Sequence, residues 1–120
     1  MCMPEYFVKP KLKRETGSLL TTGNNYAIIS SFGIRGYKSK TFVLSAATKD
    51  LYFRIEFSMN NTDWYNRLYD ASVTVGTPVV FEDDSNAALR GHHNYCRVSV
   101  KPKVADNNGT GTFVFEGSTL

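Results

Sequence analysis

Apolar and polar positions alternate with a period of two along most of this chain, and no apolar stripe of helical period persists for three turns. The clearest run is LYFRIEF at 51–57. There Leu51, Phe53, Ile55 and Phe57 fall on one face and Tyr52, Arg54 and Glu56 on the other, as a half-buried strand requires. NNTD at 60–63 carries Asx-turn and left-handed chemistry, so WYNRLY is expected to return as the partner strand of a hairpin. NYAIISSF at 25–32 and KTFVLSAA at 40–47 read as strands around the loop GIRGYKS. ASVTV and PVVF read as two more, flanking Gly76 and Thr77. YCRVSVKP sets Cys96, Val98 and Val100 against Tyr95, Arg97, Ser99 and Lys101, and DNNGTG turns into a closing strand, TFVFEG. About eight strands at roughly 8–12-residue spacing, with no helix between them, predict an all-β fold: a single antiparallel β-sandwich or jelly roll over residues 18–120.

Residues 1–17 break this rhythm. Pro4 and Pro10 interrupt strand pairing, and Lys9, Lys11, Lys13 and Arg14 leave the segment too polar to build core of its own. An extended N-terminal arm is expected, docking on another chain through Cys2, Tyr6, Phe7, Val8 and Leu12.

The 120 residues fit one domain that folds without metal or disulfide. A net charge of +3 is too small to argue for nucleic-acid binding, and the arm's four cations are partly offset by Glu5 and Glu15. No run of about 18 apolar residues is present to span a membrane. The start, MCMPEYFVKPKLKRE, lacks the apolar stretch of roughly 7–15 residues that a secretory signal needs. The expected location is a virion or extracellular assembly reached without a classical signal peptide. NNT at Asn60 and NGT at Asn108 match the glycosylation pattern, and both read as turn chemistry.

Candidate chemistry is sparse. His92 and His93 are adjacent, so on an extended segment they point to opposite sides and do not share a metal. Asp83 and Asp84 lie in the longest loop, 82–94, without regular ligand spacing; the loop reads as solvated. No nucleophile elbow, P-loop or glycine-rich dinucleotide turn occurs, so no enzyme and no cofactor is predicted. Cys96 shares a face with Val98 and Val100 and reads as a buried, inert thiol rather than as a nucleophile paired with His93. Trp64 has two readings. One places it over the end of the core beside the hairpin; the other joins it with Tyr52, Tyr65 and Tyr69 in an aromatic platform for sugar rings, making carbohydrate a possible partner.

The succession LYFRIEFSMNNTDW, ASVTVGTPVVF and YCRVSVKPKVADNNGTGTFVFEG resembles, over about residues 40–117, small β-sandwich structural proteins of bacteriophage virions and, more loosely, endospore appendage subunits. The resemblance implies a non-enzymatic building block whose partners are copies of itself or another structural protein of the same assembly. In the appendage family, cysteines of an N-terminal connector bridge to a neighbouring sandwich, and Cys2 is the residue in a matching place here. The expected function is therefore a virion component, such as a decoration, neck or tail protein, or an appendage filament joined through the arm. The alternative is a carbohydrate-binding module.

Overall fold

The structure, a computed structural model, describes residues 9–120. Eight strands follow one another: β1 (Leu12–Leu20), β2 (Ala27–Gly33), β3 (Ser39–Ala46), β4 (Leu51–Ser58), β5 (Trp64–Val73), β6 (Val79–Glu82), β7 (Tyr95–Pro102) and β8 (Thr110–Ser118). They form two four-stranded antiparallel sheets, ordered β1-β8-β3-β6 and β2-β7-β4-β5. The strands pair as β1 with β8, β2 with β7, β3 with β6 and β4 with β5, as if one long hairpin had been folded over on itself. That is the jelly-roll arrangement.

Alternation places the core as the sequence predicts. Leu51, Phe53, Ile55 and Phe57 from β4 and Cys96, Val98 and Val100 from β7 are fully buried, and they meet Phe42, Leu44, Phe113 and Phe115 from the other sheet. Each such side chain taken from water stabilises the fold by roughly 1.5–3 kcal/mol. Phe32 stacks on Phe113 at 5.8 Å and tilts against Phe115 at 5.1 Å, tying β2 to β8 across the sandwich. Gly17 permits this closure at the end of the first sheet. A Cβ there would lie 2.9 Å from both Ile29 Cγ2 and Phe113 Cε1.

The hairpin between β4 and β5 is built from the predicted turn chemistry. Asn60 Oδ1 accepts from the N–H of Thr62 (2.9 Å) and of Asp63 (2.8 Å), while Asn61 takes a φ of 63°.

Two expectations are corrected. WYNRLY and ASVTV are not separate strands: β5 runs through the first and on to Val73 in the second, absorbing extra residues at register shifts between Phe53 and Ile55 and between Ile55 and Glu56, with Asp70 at φ 50°. An edge strand has no second partner to hold it in register, so such bulges are tolerated there. Residues 12–17, expected in the arm, belong to β1, whose nine residues pair with β8 without a break. The charges that suggested an arm are accommodated because β1 is also an edge, where Lys13 and Glu15 pair at 3.5 Å. The count of eight survives because one predicted boundary vanished and one unpredicted strand appeared.

Candidate assembly surface

A sandwich of two open sheets has four edges, and an edge strand offers unpaired N–H and C=O groups to any chain that can lie beside it. Three edges here are guarded. β2 changes register between Ile28 and Ser30, and β5 carries the two shifts already described. β6 has four residues, with Pro78 before it and Asp83 and Asp84 after it.

β1 differs. Its pairing with β8 extends beyond the strand at both ends, since Thr119 N donates to Lys11 O (3.1 Å) and Thr21 N donates to Gly109 O (3.0 Å). Antiparallel pairing alternates, so the odd residues from 11 to 21 bond to β8. The even residues Leu12, Arg14, Thr16, Ser18 and Leu20 therefore turn their N–H and C=O groups outward. Their side chains are all exposed, and Leu12 at 77% and Leu20 at 57% are among the most exposed large apolar residues of the described chain. The register places Thr16, Val114, Val43 and Val80 in one row across the outer face of this sheet.

The other sheet presents a different outer face. Arg97 lies 4.3 Å over the ring of Trp64 and donates through Nε to Glu56 Oε1 at 2.8 Å. Farther along the sheet Tyr26 lies under Arg54 (4.4 Å) and Lys101 (4.8 Å), and its hydroxyl donates to Asp70 Oδ1 and accepts from Asp70 N at 3.2 Å. This tyrosine bar runs from the start of β2 to β5 and passes over the strands between. Burial, and then the Asp70 carboxylate, push the Tyr26 phenol well above its ordinary pKa. Tyr26 had no local signal in the sequence, because the bar depends on strands far apart in the chain.

The four residues of the expected sugar platform are dispersed. Tyr52 pairs in register with Ser72 and Trp64 with Ser58, so the two occupy opposite ends of the β4–β5 ladder. Tyr65 turns the other way and meets His93, 2.8 Å from its Nδ1, and Tyr69 lies beside Tyr26, 6.1 Å between ring centres. Trp64 does not cap the core either. It is half-buried on the outer face beneath Arg97.

Loop 82–94 is clasped rather than loose. Leu89 is fully buried, and Arg90 donates to the carbonyls of Asp83 and Asp84, both at 2.7 Å. Lys40, expected in a strand without any special role, is fully buried and donates from Nζ to Gly91 O (2.9 Å) and Lys38 O (3.2 Å). Burial holds its pKa below the ordinary lysine value, against the pull of Asp83. His93 is buried while His92 is exposed, as their adjacency predicted. Arg90 O lies 3.1 Å from His93 Nε2 and can only accept, which assigns the proton to Nε2 and leaves Nδ1 to accept from Tyr65. Burial lowers the pKa of His93. Among the described residues no group of three or more His, Cys, Asp or Glu side chains gathers as a metal set.

Cys96 is fully buried, and burial raises its thiol pKa well above the ordinary value, so it is held as the unreactive thiol. Of the expected subunit-contact residues, Leu12 stands exposed at the start of β1; Cys2, Tyr6, Phe7 and Val8 lie outside the described residues.

No protein-family model matches the chain, and no curated protein sequence does. Among solved structures, a Bacillus endospore appendage protein from a family of disulfide-linked pili is similar, with a TM-score of 0.51 and 14% identity over 94% of this chain and 93% of that one. A VP2 subviral particle of infectious bursal disease virus is also similar, with a TM-score of 0.44 and 11% identity. That match covers 91% of this chain, which spans about a third of VP2, 32%. What is shared is the fold. The likeness to appendage subunits seen in the strand rhythm of residues 40–117 extends to nearly the whole chain.

Proposed function

We propose that this chain is a non-enzymatic structural subunit that assembles with copies of itself, or with another structural protein of the same assembly, in a virion or an appendage filament. The observation that carries this reading is the edge of β1, unpaired among the described residues: a continuous run of outward backbone groups on a domain whose other edges are broken, short or bulged. Main-chain pairing along such an edge gives affinity without a conspicuous sequence motif. The fold likeness over nearly the full length of an appendage pilus protein supports the filament form. In this reading the arm upstream of β1 reaches a neighbouring subunit through Cys2, Tyr6, Phe7 and Val8 and reinforces the joint.

Negative-stain images of the full-length chain and of a chain beginning at Leu12 test the proposal. Rings or filaments should form from the full-length protein and be shortened, down to β1-joined pairs, in the truncation, which keeps all of β1 and should remain folded. Isolated sandwiches from the full-length chain at every concentration would refute it.

A further inference from the structure

We infer that two copies of this chain join edge to edge through β1, antiparallel and centred on Thr16. The inference rests on the assembly reading above and names the partner of its open edge.

The pattern of β1 is self-complementary in this register. Leu12 faces Leu20 of the second copy at both ends, Arg14 faces Ser18, and Thr16 faces itself. Every facing residue is one whose N–H and C=O already point outward, so each of the five pairs exchanges two main-chain hydrogen bonds. The exposed leucines cover each other, and threonine opposite threonine is a favourable cross-strand pair. Other registers lose these features. Centring on Arg14 sets two guanidinium groups face to face, a repulsive arrangement. Centring on Glu15 puts Leu20 opposite Pro10, which has no N–H to donate, and centring beyond Thr16 leaves Leu12 past the end of its partner. Charge on the inner side of an edge strand often bars a partner, but here Lys13 and Glu15 neutralise each other within one copy. The joined sheet would continue from β6 of one copy to β6 of the other, with the two arms leaving at opposite ends of the seam.

The test is a register-specific crosslink in the full-length chain carrying Cys2→Ser, where the remaining native thiol, Cys96, is buried. Thr16→Cys places two thiols opposite each other with Cα atoms about 5.5 Å apart, within disulfide reach. It should give, under mild oxidation, a species of twice the 13.5 kDa chain mass. Ser18→Cys is the control. Its counterpart would lie four residues along the seam, about 14 Å away, and it should stay monomeric on the same gel. Thr16→Pro removes only an outward N–H and leaves the ladder to β8 intact, so it should abolish the dimer at a little-changed melting temperature. Equal crosslinking of both cysteine variants, or none from Thr16→Cys in a chain that still forms large assemblies, overturns the inference and leaves the edge to a neighbour's arm. Crosslinking at Thr16 in a chain that forms nothing larger than the pair supports it while removing the filament reading.

Discussion

Lys40 lies wholly out of solvent on the core side of β3, with two carbonyl oxygens for its ammonium protons, and His93 is packed 4.5 Å from Phe57 with both ring nitrogens spoken for. Both are anchors for loop 82–94, and burial depresses both pKa values, so they respond to pH with the same sign. A depressed histidine takes up its proton more readily in the unfolded chain than in the folded one. Stability should therefore fall as pH drops through about 6.5, histidine's unfolded value, toward the folded one. The melting temperature should be lower at pH 5 than at pH 7, and His93→Gln should flatten that slope; an unchanged slope would exclude His93 as its source. The outer face makes a second prediction. Tyr26→Phe keeps the ring beneath Arg54 and Lys101 but loses two hydrogen bonds to Asp70, one to its charged carboxylate, and should cost about 1–3 kcal/mol in denaturant unfolding. Trp64→Ala, on the same face, should cost about 1 kcal/mol, against roughly 3–5 kcal/mol for Phe53→Ala in the core. Equal losses for Trp64 and Phe53 would return Trp64 to the core.

At the scale of elements, β1 is where the sequence misleads and the structure instructs. Its apolar content is confined to Leu12, Leu19 and Leu20, and its charges mimic those of a solvated arm. Periodicity registers a strand by the contrast between its faces, and β1 has little contrast. Its inner side carries Lys13, Glu15 and Gly17, and only Leu19 packs on the core. β4, with four fully buried residues on one face, was legible at once. The merging of WYNRLY with ASVTV was hidden for another reason: bulges reset the alternation, so one strand read as two. A truncation series separates the parts. Removing residues 1–11 should leave the melting temperature nearly unchanged, whereas removing 1–17 takes six of the nine residues of β1 from the ladder with β8 and should lower it markedly. Equal melting temperatures would show that β1 is dispensable to the domain.

Over the whole molecule, the jelly roll was within reach of sequence reasoning because strand count, turn chemistry and the buried face of each central strand are local properties. The candidate assembly surface was not. Which strands become edges, which edges stay regular and which outer face is crossed by Tyr26 are set by pairings between distant segments, such as β1 with β8 and β2 with β7. Fold placement also constrains the cysteines. With Cys96 buried, Cys2 of a neighbour has no thiol to meet on the described sandwich, so non-reducing electrophoresis of the native assembly should show Cys2-linked pairs at most and no longer ladder. A reductant-sensitive ladder would mean that the sandwich opens to expose Cys96. The claim that β1 is the joint is tested most directly by amide hydrogen exchange resolved to single residues, comparing dilute chain with assembled chain. The odd-numbered amides of β1, bonded to β8, should be protected in both states, while those of Leu12, Arg14, Thr16, Ser18 and Leu20 should exchange freely when dilute and become protected on assembly. Assembled protein in which those five amides still exchange freely would contradict the account.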